Sequence, residues 1–256
     1  MRFIDLNCDM GELPHAIADG TQESLMPFLT SVNVACGGHA GDPKMMRITV
    51  EQALRGQLAI GAHPGYPDRV NFGRLELDLP HEEIAECVFA QVSKLAEIAA
   101  KCGARISHVK AHGALYNQAA RESAVAEAIA RGVARWRSDV VLVGLAGSPM
   151  LDVFRAAGFA VAAEAFADRR YEPQGSLRSR RFADALILDP SDAASQALRI
   201  AERGSIIALD RTEIPVEAQT ICIHGDTPGA VQIAAAVAQR LRGAGIVLRP
   251  LSTTLQ

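Results

Sequence analysis

Residues Ile4–Glu12 read IDLNCDMGE, an apolar, strand-like run that ends in a turn carrying Asp and Glu. Four more stretches share this layout: Val32–Pro43 (VNVACGGHAGDP), Ala59–Asp68 (AIGAHPGYPD), Val109–Asn117 (VKAHGALYN) and Ile221–Ala230 (ICIHGDTPGA). The runs read as buried parallel strands and the turns as strand-to-helix loops. Five such strands in one parallel sheet would place all five loops on one edge. Asp9, Glu12, His39, His63, His112, His224 and Asp226 would then converge, as active-site groups do in α/β enzymes.

The alternation continues along the chain. Strands are expected near Phe3–Asn7, Val32–Ala35, Leu58–Ala62, Ile106–Lys110, Val140–Gly144, Ala160–Glu164, Ala185–Leu188, Ile206–Leu209, Thr220–Ile223 and Ile246–Leu248. The clearest helix is Pro80–Cys102, with a proline start, a glycine stop at Gly103 and an apolar stripe at Ile84, Val88, Val92, Leu95 and Ala99. Thr227–Arg242 has Thr227 as a candidate N-cap and Pro228 as first helical residue, and Pro43–Arg55, Glu122–Trp136, Met150–Ala157 and Asp192–Arg203 fit the same template. Repeated strand–helix units suggest a barrel or a doubly wound sheet. Polar loops follow strands from residue 7 to residue 226, which favours the barrel over an open sheet with one switch point. Residues 205–223 hold two strand-like runs with no room for a helix between them, so a hairpin excursion is expected there. No linker divides the chain, and residues 1–256 are expected to form a single (β/α)-barrel domain.

The bulk numbers narrow the function classes. A net charge of −3 gives little support to nucleic-acid or anionic-membrane binding. The basic segment Arg169–Arg181 reads as a solvated or anion-binding loop. The five cysteines form no CxxC pair, which argues against a disulfide framework. The N-terminus enters a strand directly without a signal-peptide pattern, and no apolar stretch reaches the ~18 residues of a membrane span. A soluble, cytoplasmic protein is expected.

Alternation places Asp5, Asn7 and Asp9 on one strand face, which requires hydrogen-bond partners inside a barrel. Asp9 and Glu12 are candidates for a metal ligand or general base. Gly37, Gly38 and Gly41 would let the backbone approach a ligand around His39. Asp42 precedes Pro43 and reads as a helix cap. His63 sits at a strand end between fixed prolines. Lys110 needs an anionic partner if buried, and His112 is a candidate acid or base. Tyr116 and Asn117 fit the loop or first helical turn that follows. Asp226 divides evenly between cap and catalytic acid, and His224 is on a strand that can face inward. Glu164 ends a strand, Asp168 and Arg169 can pair locally, and Arg169 or Arg178 can bind a carboxylate through two hydrogen bonds. HExxH, GxSxG, GxGxxG after a strand and the GxxxxGK[ST] phosphate loop are all missing from the sequence.

Together DLNCDMGE, NVACGGHAGDP, GAHPGYPD with FGR downstream, VKAHGALYN, EAFADRRY and ICIHGDTPGA resemble the LamB/YcsF family, the A components of bacterial 5-oxoprolinase, in family order from Asp5 to about Ala230. Gly38 stands where the family often has an aromatic, Ala111 where proline is common and Gln174 where an acid is common. The resemblance implies a distorted, TIM-like (β/α) barrel of the glycoside hydrolase/deacetylase kind. It also implies ATP-dependent opening of the lactam 5-oxo-L-proline to L-glutamate together with subunits B and C, and leaves a homo-oligomer open. Asp9, Glu12, His39, His63, Lys110, His112 and Asp226 become the catalytic candidates. Asn7, Gly37, Gly38, Gly41, Tyr66, Arg74, Tyr116, Asn117, Glu164, Arg169 and His224 become candidates for holding substrate or phosphate. The deacetylase relationship implies a divalent-metal set of Asp9, His39 and His63. The rival reading is a self-sufficient, metal-dependent amidohydrolase or deacetylase.

Overall fold

A computed structural model describes residues 2–251. The chain runs β1 (Phe3–Met10), α1 (Pro14–Ala18), α2 (Thr21–Leu25), β2 (Ser31–Ala35), α3 (Pro43–Arg55), β3 (Ala59–His63), α4 (His81–Lys101), β4 (Ile106–Lys110), α5 (Gly113–Ala119), α6 (Ser123–Trp136), β5 (Val141–Leu145), α7 (Met150–Ala156) and β6 (Ala160–Phe166). It continues through α8 (Pro190–Arg203), β7 (Ser205–Ile207), β8 (Glu213–Pro215), β9 (Thr220–Cys222), α9 (Ala230–Gly243) and β10 (Val247–Leu248). Strands β1 to β6 and β9 are parallel neighbours, and β9 pairs back onto β1, so seven strands close a TIM-like barrel. The eighth position is a stub: β10 pairs only with Phe3 and Ile4, below the point where β9 meets Asp5–Asn7.

The strand faces divide as alternation requires. Leu6, Cys8, Val32 and Val34 are fully buried on the helix side, against apolar helix residues such as Val50, Val92 and Val237. The inward side is half apolar and half polar. Val141, Val143 and Ala162 form a separate apolar cluster with Leu251 packed on it. Asp5, Asn7, Asp9, Ser31, Asn33, His108, Lys110, Glu164 and Thr220 supply a hydrogen-bonded network. Asn33 Nδ2 donates to Asn7 Oδ1 and Asp9 Oδ1, each at 2.8 Å, and Asn7 Nδ2 donates to Glu164 at 3.0 Å. The His108 ring lies over Gly61 of the neighbouring strand β3, where any Cβ would collide with it, and bonds Asn33 of β2 at 2.9 Å.

Asp5 accepts from Thr30, Ser31 and Thr220 hydroxyls at 2.6, 2.9 and 2.5 Å. Burial, aided by the charge of Glu164, pushes its carboxyl from 3.8 up to about 6 against these donors. A raised folded-state value means that stability falls as pH rises from ~4 to ~6 and that the full penalty stands above that window. Asp5→Asn is therefore expected to stabilise the protein at about pH 8, by at most ~3 kcal/mol at ~1.4 kcal/mol per pH unit. Near pH 4 it should change little. Thermal melts at both pH values check this, and a less stable variant at the higher pH would contradict it.

The expected hairpin excursion is present: β7 and β8 pair antiparallel outside the barrel. Asp42 caps α3 by accepting from the Lys44 and Met45 amides. Three expectations need correction. Ala185–Leu188 is not a barrel strand; it forms an isolated antiparallel bridge with the loop after β6 at Arg169–Leu186. Its apolar residues Ala185 and Ile187 are buried by packing, which makes the run look strand-like. The helix expected at Thr227 begins at Ala230, after Gly229 in a left-handed turn (φ 77°). Neither Thr227 nor Asp226 caps it, because both side chains are engaged across the barrel mouth. No helix among the described residues is long and apolar enough to cross a membrane.

Candidate active site at the C-terminal mouth of the barrel

The strand ends deliver the side chains from different directions. Gly11 turns the chain after β1 (φ 73°), and its amide donates to Gln22 at 2.8 Å, which folds Glu12 back over the mouth. His63 is the last residue of β3, and His112 lies two residues past β4, at the start of α5, with its amide donating to Pro64 O at 2.8 Å. His39 comes from the β2–α3 loop and lies between Gly65 and Gly73. A Cβ on either glycine would come within 2.7 Å of it.

Four groups meet. Glu12 Oε1 is 2.8 Å from His39 Nε2, 3.0 Å from His112 Nδ1 and 3.7 Å from His63 Nε2. His39 stacks on His112 with ring centroids 3.5 Å apart, and Phe72 edges against both. Two outer hydrogen bonds fix the tautomers. His63 Nδ1 meets Lys110 O at 2.8 Å, and His112 Nε2 meets Phe72 O at 2.9 Å. A carbonyl only accepts, so each of these nitrogens carries the proton and the inward nitrogens present lone pairs. Yet those inward atoms, His63 Nε2 and His112 Nδ1, are 3.0 Å apart. Such a contact requires a proton or a cation between them. Burial opposes charge on His63, but Asp9 and Glu12 outweigh it and raise its pKa. Burial pushes His39 down to about 4 despite its bond to Glu12, so it is neutral.

Asp9 lies behind this group, 3.2 Å from His63 Nε2 and 3.0 Å from Lys110 Nζ. Lys110 also meets Glu164 at 2.8 Å and Cys222 Sγ at 3.1 Å. The anionic partners expected for Lys110 are thus two carboxylates of its own chain. Burial opposes its charge, but Asp9, Cys222 and Glu164 hold it well above the usual lysine range. The Tyr116 hydroxyl and Glu164 Oε2 are buried without a hydrogen-bond partner.

The donor set tests whether a divalent ion fits. Atoms of Glu12, His39, His63 and His112 lie within 4.8 Å of one another. Three imidazoles and a carboxylate suit Zn²⁺, and outer carbonyls holding two of the rings are the usual support of such ligands. The residues fit. They differ from the expected trio in using Glu12 and His112 where Asp9 stood. A second grouping of Asp9, Cys222 and His224 does not fit, because the Lys110 ammonium already touches Asp9 and Cys222.

Other candidates lie elsewhere. Gly38 and Gly41 approach the protein's own backbone: their Cβ positions meet Gly65 O at 2.7 Å and Ala35 O at 2.8 Å. The Gly37 amide donates to Ala40 O at 2.8 Å. Tyr66 turns toward α5 and bonds Gln118 at 2.5 Å. Asn117 lies on α5 outside this group. Asp226 binds Arg74 and Arg180. His224 stacks on Phe166 and bonds Asp168 at 2.9 Å, so Asp168 pairs with His224 and not with Arg169. Sequence reading passed over Asn33, His108, Phe72 and Arg180. Alternation in SVNVA and ISHVK was enough to place Asn33 and His108 inside, whereas no periodic signal marks Phe72 or Arg180 in their loops.

A model of the LamB/YcsF family matches residues 4–256. The chain belongs to the LamB/YcsF family. A 5-oxoprolinase A component from Chloroflexus aggregans is 51% identical over 249 residues, covering 97% of this chain and 99% of the relative. One of the same description from Methylococcus capsulatus is 46% identical over 98% of this chain and 96% of the relative. The crystal structure of a lactam utilization protein from Thermus thermophilus superposes with a TM-score of 0.90 at 40% identity, covering 97% of this chain and all of the other. A family 4 carbohydrate esterase from Streptomyces lividans shares the LamB/YcsF barrel at 11% identity (TM-score 0.52, over 99% of this chain and 95% of the esterase), which shows the fold alone.

Proposed function

We propose that this LamB/YcsF chain is the A component of a cytoplasmic, ATP-dependent 5-oxoprolinase. With partner subunits B and C it opens the lactam of 5-oxo-L-proline to give L-glutamate. The observation that carries the reading is the buried Glu12–His39–His63–His112 group at the strand ends, in a chain half identical to proteins named for this activity.

The chemistry asks for activation and for proton transfer. A lactam carbonyl is a poor electrophile; transfer of the γ-phosphoryl group of ATP to its oxygen makes the carbon open to water. One water adds, the C–N bond breaks and the nitrogen gains a proton, which leaves an acyl phosphate; a second water releases the phosphate, so 5-oxoproline, ATP and two waters become glutamate, ADP and phosphate. The lone pair of His112 Nδ1, beside Glu12, is placed to take the proton of water, and the protonated His63 Nε2 to supply the departing nitrogen. Asp9 and Lys110 hold His63 in place from behind: Asp9 meets its Nε2 and the Lys110 carbonyl meets its Nδ1. A divalent ion held by Glu12, His39, His63 and His112 would replace the proton between these two rings and would polarise the lactam oxygen in place of their proton transfer.

Reconstitution tests the proposal. Glutamate and ADP are expected from 5-oxoproline and ATP with all three components, and not when this chain is left out. Undiminished glutamate release without it would end the proposal. The metal-supporting donor set keeps one rival: ATP-independent hydrolysis of a simple amide or N-acetyl sugar by this chain alone, abolished by chelator, would establish an amidohydrolase or deacetylase instead.

A further inference from the structure

Two arginines close on the loop after β9, beside the glutamate–histidine group, and a third, Arg169, lies near Arg180. Arg180 Nη1 donates to Asp226 Oδ2 at 2.7 Å, and Arg74 Nη2 donates to the same oxygen. Arg169 is buried, with 6% of its surface exposed. Its Nη2 donates to Arg178 O at 2.6 Å, but its Nε has no partner. The nearby Asp168 carboxylate favours the charges of Arg169 and Arg180, but its hydrogen bonds go elsewhere: it accepts from the His224 amide at 3.0 Å, His224 Nδ1 at 2.9 Å and Thr227 Oγ1 at 2.7 Å. Arg74 and Arg180 thus share Asp226, while the buried Arg169 keeps an Nε–H without an acceptor. A buried guanidinium N–H without an acceptor is held at a cost unless a ligand supplies one.

The same mouth holds the reacting groups. Asp226 lines one small cavity, about 20 Å³, with Asp9 and Glu12. The Phe72 ring joins the two sides: Arg74 lies 4.9 Å over it, and His39 and His112 stand 5.6 and 5.5 Å from it. Asp226 itself demonstrates that a carboxylate oxygen fits between Arg74 and Arg180.

We propose that Arg180, with Arg74 and Arg169, binds the carboxylate of the substrate and so aims its ring amide at Glu12, His63 and His112. The choice of ligand rests on the lactam reading above. In 5-oxoproline the carboxylate is on the ring carbon next to nitrogen, and the reacting carbonyl is on the nitrogen's other side. Gripping one end at the arginines presents the other to the histidines. A guanidinium matches a carboxylate with two parallel hydrogen bonds, which an ammonium does not.

The test uses the full-length chain and three probes: 5-oxoproline, 2-pyrrolidinone (the same lactam without a carboxylate) and tetrahydrofuran-2-carboxylate (the carboxylate without a lactam). Calorimetric titration of Arg180→Gln is expected to show binding of both carboxylates weakened about 10- to 100-fold, the range for a lost charge-assisted bond, with 2-pyrrolidinone unaffected. Arg180→Lys should recover a few-fold. In the reconstituted complex the loss should appear in KM for 5-oxoproline more than in kcat. Arg74→Gln, at an exposed side chain, repeats the comparison if the Arg180 variants melt early. Equal binding of all three probes to wild type and both Gln variants, or an equal loss for 2-pyrrolidinone, would overturn the proposal. If Arg180→Gln loses the carboxylates but the wild-type complex never opens the lactam, the anion site stands and the lactam reading falls. If turnover persists with KM unchanged in Arg180→Gln, the reverse holds.

Discussion

Glu12→Gln is expected to lower kcat of the reconstituted complex by about 10³-fold, within the usual range for a positioned acid–base group. The size follows from how many partners share one oxygen. Glu12 Oε1 touches His39, His112 and His63 at 2.8, 3.0 and 3.7 Å. Burial opposes its charge, yet His112 and His39 hold its carboxyl well below the usual range, so a full negative charge sits among three rings. Glutamine keeps the shape and removes that charge. It also presents an amide N–H, or a weaker acceptor, where His39 Nε2–H and His112 now find a carboxylate. The proton between His63 and His112 then loses its counter-charge. Two readouts decide the matter: steady-state kcat, and the divalent ion retained per chain after dialysis, which should fall with it. A variant within three-fold of wild-type kcat would take Glu12 out of the chemistry.

Lys110→Met is expected to destabilise the fold by about 3–5 kcal/mol, the usual result of removing one member of a buried ion group. Lys110, Asp9 and Glu164 are almost wholly shielded from water, and the methionine would leave two carboxylates facing each other without a cation. For a chain of this size ~1 kcal/mol moves Tm by ~2–4 °C, so a loss of roughly 10 °C is expected. Adding Glu164→Gln to Lys110→Met should recover part of it, because one uncompensated charge is then gone. Thermal melts of the single and double variants check both statements. A double variant less stable than Lys110→Met would mean that Glu164 stabilises the barrel through Asn7 rather than through the ammonium.

The barrel was legible because its strands obey a period of two and its helices one of 3.6. DLNCD marks an inward face of Asp5, Asn7 and Asp9, and each meets polar partners inside. Asp42-Pro43 announces the start of α3. The mouth was less legible because its geometry depends on loops. Thr227-Pro228 has the composition of a helix start, but Asp168 in the loop after the neighbouring strand β6 draws the threonine away. The glycines around His39 read as room for a ligand, yet Gly38 and Gly41 make room for Gly65 and Ala35. Local sequence records that a side chain is small; it does not record what approaches it. Arg180 is hidden for the same reason, as one arginine in a basic loop whose partner, Asp226, is 46 residues away.

The carbonyls of Lys110 and Phe72 give the mouth a property of an ion exchanger. By pinning the outer nitrogens of His63 and His112 as donors, they keep the two inner nitrogens bare and 3.0 Å apart. The pocket thus favours a positive charge between them. A proton occupies it until some other cation arrives, and that cation must evict the proton to enter. Loading a divalent ion will therefore acidify an unbuffered solution, and its grip will tighten as pH rises.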